Sequence, residues 1–353
     1  DLDIPADHVT QVYSVLSEAN VMNLTDHYEA PRLSRLSVGF CNWVYRVDVA
    51  QEAPPQSYVV KIFSDLAKMR VAVEHRGAVD VVADSIGNMA PTVVSASPDT
   101  IAHEWVDGKT LTEDDMATDV TIGLRIAKKL SRLHTSAFPS VFASPDTAEP
   151  VLWSSINAML ERIAKDPELL PAPFSLDMLV RECKTAREAL DKCAGCQQLV
   201  LGHGDFKPSN VMLEDANGAI TFIDFELAGP NYRGFDIFKL FRRGQTSNSE
   251  PTPMSHANLR AFVEAYLDYE EPKAGISPGG VDKLEALLEE VYLFEPLTWL
   301  EAAVFFLFAI TEDPEHADDW AALARHRWEQ YELTRDALSP NSRLSKKLGA
   351  VEA

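Results

Sequence analysis

The chain has 353 residues, enough for two domains at roughly 150 residues each. A hydrophobic share of 46% and a charged share of 24% are those of a folded globular protein and exclude a disordered or low-complexity chain. The 32 basic and 54 acidic residues give a net charge of −22, which argues against nucleic acid as a partner, because neutralising phosphates needs a basic face.

The chain starts Asp-Leu-Asp-Ile-Pro, without the basic and apolar regions of a signal peptide. Val9, Val12, Val15, Leu16 and Val21 follow a helical period and predict an N-terminal helix over 8–22. Strand alternation follows over 35–49 and 58–63, with Gly39 near the start, and predicts two antiparallel strands joined through Pro54-Pro55. A helix is predicted over 69–86, ended by Gly87, and two short strands over 92–106 around Pro98-Asp99. Residues 1–106 thus form a small α+β lobe. Beyond Asp107-Gly108 helical spacing dominates, over 119–134, 154–163 and 176–193, with a β-insert at 199–225. Further helices are predicted over 257–269, 281–291, 297–310 and 319–333, so residues 107–353 form a second, mostly helical lobe. The longest uninterrupted apolar run, 302–310, falls short of the roughly 20 residues of a membrane span. The cysteines 41, 183, 193 and 196 are too few for a disulfide framework, which favours a reducing compartment, the cytoplasm being the expected one. Cys193-Ala194-Gly195-Cys196 is a lone C-x-x-C, read as two reduced thiols at a helix end.

The segment His203-Gly204-Asp205-Phe206-Lys207-Pro208-Ser209-Asn210, followed by Ile223-Asp224-Phe225-Glu226, carries the chemistry. Phosphoryl transfer needs one carboxylate to orient or deprotonate an attacking hydroxyl, and a carboxylate with an amide to hold magnesium against a triphosphate. Asp205 takes the first role, and Asn210 and Asp224 the second. Upstream, Lys61 stands on an alternating strand that ends a glycine-loop hairpin, suited to the α/β-phosphates of ATP, and Glu74 on the next helix is the carboxylate expected to fix it. Gly39 and Asn42 lie in the loop before that strand pair, which has neither a Rossmann nor a Walker pattern.

His203 to Asn210, then Ile223-Asp224-Phe225-Glu226, then Asn231-Tyr232-Arg233-Gly234-Phe235-Asp236-Ile237, resemble the C-lobe signature of choline/ethanolamine kinases, within the aminoglycoside-phosphotransferase-like group. The resemblance implies a bilobal, protein-kinase-like α+β fold with a small β-rich N-lobe and a large helical C-lobe. It also implies ATP in the cleft, with the adenine meeting the backbone of Glu104 and Val106 and lying over Ile223. Glu226 would support the metal shell, and Asp236 would brace the catalytic loop. The implied cofactors are ATP and Mg2+, and the implied partner is a small hydroxyl compound of the amino-alcohol type; the sequence leaves the oligomeric state open, a homodimer included.

The acceptor site departs from the family. Leu227 stands where the family has a tyrosine, Arg243 where it has a glutamate facing the ammonium, and its paired tryptophans fall near Ala302 and Phe305. Tyr232, Trp299 and Phe305 are the aromatic residues assigned to this pocket, although the helical spacing of Trp299 and Phe305 favours a core helix over a substrate-stacking wall. An Arg243 facing the pocket would select an acidic or zwitterionic acceptor, whereas pairing with Glu264 or Glu295 would remove it. Kinases of a sugar, an aminoglycoside or another metabolite, and a pseudokinase-like binding protein, are the competing readings.

Overall fold

A computed structural model describes residues 4–21, 31–37, 42–49, 56–87, 89–144, 147–244, 255–269 and 281–339. The chain divides into two compact units, Asp1–Lys109 with Met212–Glu226, and Thr110–Val211 with Leu227–Ala353. The first lobe read from the sequence ended at residue 106; the division falls three residues later and returns 212–226 to the first unit.

In the first unit, helix α1 (Ala6–Glu18) contributes Val12 and Leu16, one helical turn apart, to a core shared with strands β2 (Asn42–Val49) and β3 (Gln56–Phe63), which follow β1 (Arg32–Ser37). Alternation along β3 puts Tyr58, Val60 and Ile62 in that core and Lys61 on the opposite face. The sequence reading of one helix over 69–86 is corrected. Helix α2 (Asp65–Arg70), capped by the Ser64 hydroxyl, is followed by a 3-10 turn at Val73–His75 and then by α3 (Ala78–Ser85). Gly77, at φ 72°, makes the break, a conformation open to glycine at little cost. Strands β4 (Val93–Ala96) and β5 (Thr100–Glu104) complete an antiparallel sheet in the order β1-β2-β3-β5-β4, so Lys61 stands mid-sheet opposite Val44 and Ile101. Strand β6 (Gly108–Thr110) follows.

The second unit begins with α4 (Glu113–Thr118), opened by a reciprocal capping box between Thr112 and Asp115, and α5 (Val120–His134), capped by Asp119. The acidic run Glu113-Asp114-Asp115 is therefore a first helical turn, where carboxylates favour the dipole. Helices α6 (Val151–Ile163) and α7 (Leu176–Asp191) lead to strand β7 (Val200–Gly202). The predicted β-insert is not one piece: β8 (Val211–Glu214) and β9 (Ile220–Phe222) pair in a sheet with β6, whereas β7 pairs with β10 (Gly229–Asn231). Helix α8 (Arg233–Phe241), passed over as an element in the sequence reading, is buried almost throughout. After α9 (His256–Tyr269), the two helices predicted to either side of Pro296 are one helix, α10 (Val281–Glu312). Proline removes one backbone donor within a helix. Nearby, Thr298 Oγ1 donates to the Glu295 carbonyl at 3.0 Å and the Arg242 guanidinium donates to the Thr298 carbonyl, so side chains supplement the ladder there. Helix α10 packs against α6, α7, α8, α9 and α11 (Ala317–Thr334) and forms the centre of the unit. Contrary to the run-length reading, Lys283–Glu312 is long and apolar enough to cross a membrane by length and composition; 78% of its most apolar window is buried inside the protein, as in a core helix.

Candidate active site

In the first unit, the Lys61 ammonium donates to Asp224 and lies 3.5 Å from Glu226 Oε2. Burial opposes its charge, but Asp224 and then Glu226 outweigh that and hold its pKa above the ordinary lysine value. Asp224 follows β9 at φ 69°, a left-handed conformation uncommon outside glycine and frequent at functional turns. Asn42 ties the group to the sheet: its amide donates to Glu226, and its side-chain carbonyl accepts from the Ser64 N–H at 3.2 Å. Lys61, Asn42, Asp224 and Glu226 are thus brought together.

Glu74 is not among them. It stands exposed on the 3-10 turn before Gly77, and the expected Lys61–Glu74 pair is corrected. The α3 carboxylate acting on Lys61 is that of Asp80, 4% exposed, which also lies 3.2 Å from His103 Nε2. The reason is the helix start: α3 begins only at Ala78, so Asp80 lies in its first turn and Glu74 outside it. Glu104 ends β5 exposed, its N–H donating to the Thr92 carbonyl, and Val106 and Ile223 are half-buried. Gly39 lies outside the described residues.

In the second unit, the loop from His203 to Asn210 is held by α8. Asp236, fully buried, accepts the N–H of His203 at 2.6 Å and of Gly204 at 2.9 Å, and meets His134 Nε2 at 3.1 Å. A carboxylate only accepts, so His134 donates from Nε2, while its Nδ1 lies 2.9 Å from the Tyr266 hydroxyl. Burial would raise Asp236, but these donors lower it below the usual carboxylate value. Asp205 lies 2.8 Å from both Lys207 Nζ and Lys239 Nζ. Burial again pushes upward, and the two ammonium groups more than offset it, holding Asp205 well below the usual carboxylate range. Lys239 also lies 3.4 Å from Glu301 on α10. Asn210 donates from Nδ2 to the Asp205 carbonyl at 2.8 Å and its carboxylate at 3.2 Å, which leaves the side-chain carbonyl as its coordinating atom. The sequence reading missed Lys239 and Glu301. Asp236 and Lys239, three residues apart in a helix that is otherwise apolar after its first residue, Arg233, and Gly234, are the signal for the first.

Gly204 is the tightest point of the loop. It has φ 79°, and a Cβ there would come 2.0 Å from the Leu227 carbonyl oxygen. Gly204→Ala is therefore expected to displace Asp205 and lower turnover about 100-fold, read by steady-state kinetics beside circular dichroism to show that the fold persists.

The residues assigned to the acceptor pocket fare differently. Leu227 is buried. Tyr232 is buried too, its hydroxyl accepting from Trp153 Nε1 at 3.1 Å and its ring tilted on Phe294. Trp299 is buried with the Arg242 guanidinium 4.6 Å and that of Arg327 5.6 Å from its ring centroid. Burial and the neighbouring Arg327 pull Arg242 down to about 10. Phe305, half-buried, packs on Phe306 and Phe308. Arg243 pairs with neither Glu264 nor Glu295: it donates to the Glu113 carbonyl at 2.6 Å and to Asp114 at 2.5 Å, and is thereby tied to the start of α4.

Hard oxygen donors are what magnesium takes, and Asp224, Glu226 and the Asn210 carbonyl are of that kind. Among the described residues, no three His, Cys, Asp or Glu side chains converge as a ready metal cage. Magnesium held against phosphates needs only one or two carboxylates, and within the first unit Asp224 and Glu226 are of the kind it takes.

The fold is kinase-like. It matches the Plasmodium vivax ethanolamine kinase with a TM-score of 0.74 at 17% identity, over 94% of this chain and 89% of that one. It also matches the choline kinase of Cryptosporidium parvum, at 0.63 and 18%, over 94% and 98%. A third match is APH(2")-IIa in its gentamicin complex, at 0.58 and 16%, over 94% and 99%. Residues 33–332 match the choline/ethanolamine kinase family, and the chain belongs to it. It is 24% identical over 249 residues to a probable ethanolamine kinase of Arabidopsis thaliana, covering 68% of this chain and 64% of that protein. With probable choline kinase 2 of the same plant the identity is 26% over 248 residues, covering 67% and 66%. With human ethanolamine kinase 2 it is 25% over 215 residues, covering 60% and 53%. The chain spans under two thirds of the length of these curated relatives.

Proposed function

We propose that the protein is an ATP-dependent kinase that transfers a phosphoryl group to the hydroxyl of a small amino-alcohol-type compound. The observation that carries this is the restrained Asp205, ionised between two lysines on a loop that Asp236 fixes through backbone N–H groups. In this reading Asp205 orients the acceptor hydroxyl and receives its proton, and Lys207 and Lys239 keep that carboxylate charged and in place. Lys61, held by Asp224 and Glu226, faces the nucleotide phosphates, and Asn42 keeps Glu226 in position. Asp224 and Asn210, with Glu226 in support, would hold magnesium, which when bound neutralises charge on the transferring phosphoryl group. Gly39, Glu104, Val106 and Ile223 keep their assignment to the nucleotide, with Glu74 removed from it.

A second reading, a kinase of a different small metabolite, has one observation in its favour. Quaternary ammonium groups are held on aromatic faces, and Trp299 already carries two guanidinium groups of its own chain. Incubation with ATP, magnesium and a panel of choline, ethanolamine, neutral and acidic amino alcohols, sugars and an aminoglycoside, followed by phosphorus NMR, decides between them. A phosphomonoester of choline or ethanolamine is the expected product of the first reading. One of another compound alone establishes the second, and nucleotide binding without any transfer would remove both.

A further inference from the structure

Outside the loop and sheet groups described above, one nucleophilic pair stands apart. Cys193 caps a 3-10 turn (Ala194–Gln197) and Cys196 lies within it, the Cys196 N–H donating to the Cys193 carbonyl at 3.1 Å. A turn closed between residues i and i+3 keeps their Cα atoms within about 7 Å and brings their side chains to one side, inside the reach of a disulfide. Cys193 is half-buried and open to a small reagent, whereas Cys196 is 3% exposed beneath it. That is the arrangement of an attacking and a resolving thiol. The two differ in acidity: a hydrogen bond from the Cys196 thiol lowers Cys193 to about 7, and the same contact with burial raises Cys196. Cys183 supplies the contrast within the chain, buried in α7 and pushed up to about 12 by desolvation.

The turn is also mechanically connected. A Cβ on Gly195 would meet Glu290 Oε2 at 2.7 Å, so the turn backbone lies directly on that carboxylate. Glu290, 2% exposed on α10, accepts from Arg233 at 2.7 Å and 3.0 Å. Arg233 is the first residue of α8, the helix whose Asp236 and Lys239 hold the His203–Asn210 loop and Asp205. The turn is thus joined through the Glu290–Arg233 ion pair to the helix that positions the Asp205 carboxylate.

We propose that Cys193 and Cys196 form a reversible dithiol–disulfide site, oxidised by low-molecular-weight disulfides, that alters α8 through the Glu290–Arg233 pair and so lowers turnover. In the oxidation, the Cys193 thiolate attacks one sulfur of a glutathione disulfide, forming a mixed disulfide and expelling one glutathione thiolate. Cys196 gives its proton to solvent, its sulfur attacks Cys193 sulfur, and the second glutathione leaves; two electrons pass from the protein dithiol to the glutathione disulfide. Part of the consequence rests on the kinase reading, so the test has readouts independent of turnover.

The full chain, with Cys41 and Cys183 replaced by serine, is equilibrated with reduced and oxidised glutathione mixtures, alkylated and analysed by peptide mass. The expected result is a Cys193–Cys196 disulfide reversed by dithiothreitol, a glutathione adduct on Cys193 in Cys196→Ser, and none in Cys193→Ser. Hydrogen exchange over 233–241 should change on oxidation, and phosphoryl turnover should fall about fivefold or more, with Cys193→Ala/Cys196→Ala active and indifferent to glutathione disulfide. Absence of the disulfide across the redox range would overturn the site. A disulfide that leaves exchange over 233–241 unchanged would overturn its control of α8, whether or not an acceptor has been found.

Discussion

Asp205→Asn is expected to lower phosphoryl turnover by about 10²–10⁴-fold while leaving nucleotide affinity close to that of the parent protein. Asparagine fills the same space and can still accept from Lys207 and Lys239, but it cannot take the hydroxyl proton. Titration calorimetry with the magnesium nucleotide, beside steady-state kinetics, separates the two quantities; unchanged turnover would remove the catalytic role. The same carboxylate sets a pH expectation. Because Lys207 and Lys239 hold Asp205 well below the usual carboxylate range, it is ionised throughout the range above about pH 4 and contributes no acid limb there. Lys239→Met removes one of the two charges that offset burial, so an acid limb should move upward in the rate profile of that variant. Such a displacement would not follow if Lys239 merely filled space.

Asp236→Ala is expected to cost about 3–5 kcal/mol of unfolding free energy, since it strips a fully buried carboxylate from three donors that then have no partner. The pH dependence has a definite sign. A carboxylate whose folded pKa is depressed contributes fully above its unfolded value, about 3.9, and loses that contribution as pH falls through the folded value. Denaturant titrations should therefore show the gap between parent and Asp236→Asn widest near neutrality and narrowing below about pH 4. A gap that stayed constant into acid would show that the charge of Asp236 is not what holds the loop.

What could be read from the sequence was local. The His203–Asn210 segment shows itself because polar groups at fixed offsets interrupt apolar β-runs, and Lys61 because strand alternation fixes which face it occupies. Charges whose partners lie far along the chain were not legible. Glu301 reads as one more polar residue on a helix, and only the packing of α10 on α8 brings it to Lys239. The Glu74 assignment failed for a related reason: apolar periodicity ran through Gly77, and the break that selects Asp80 depends on one backbone angle. Arg243 is assigned to the pocket from its match to a family position, which cannot foresee that the segment just after α8 meets the first turn of α4. Pro296 misled in the opposite direction, marking an end where the surroundings of α10 tolerate a missing donor.

The central place of α10 has a consequence for how the helical unit is assembled. Its partners α6, α7 and α8 precede it by tens to more than a hundred residues, so the core they share cannot close until the chain has been made through α10, whereas the packing of α10 on α11 is between neighbours in sequence. Loops of that length must be closed before the contacts they allow can form, which slows the search for the native state. Until α10 docks, its apolar surface has no partner within its own segment, and the chain carries a stretch greasy enough to engage a chaperone or a second unfolded molecule. Support of α8, and with it of the loop that carries Asp205, therefore depends on a helix encoded downstream of both.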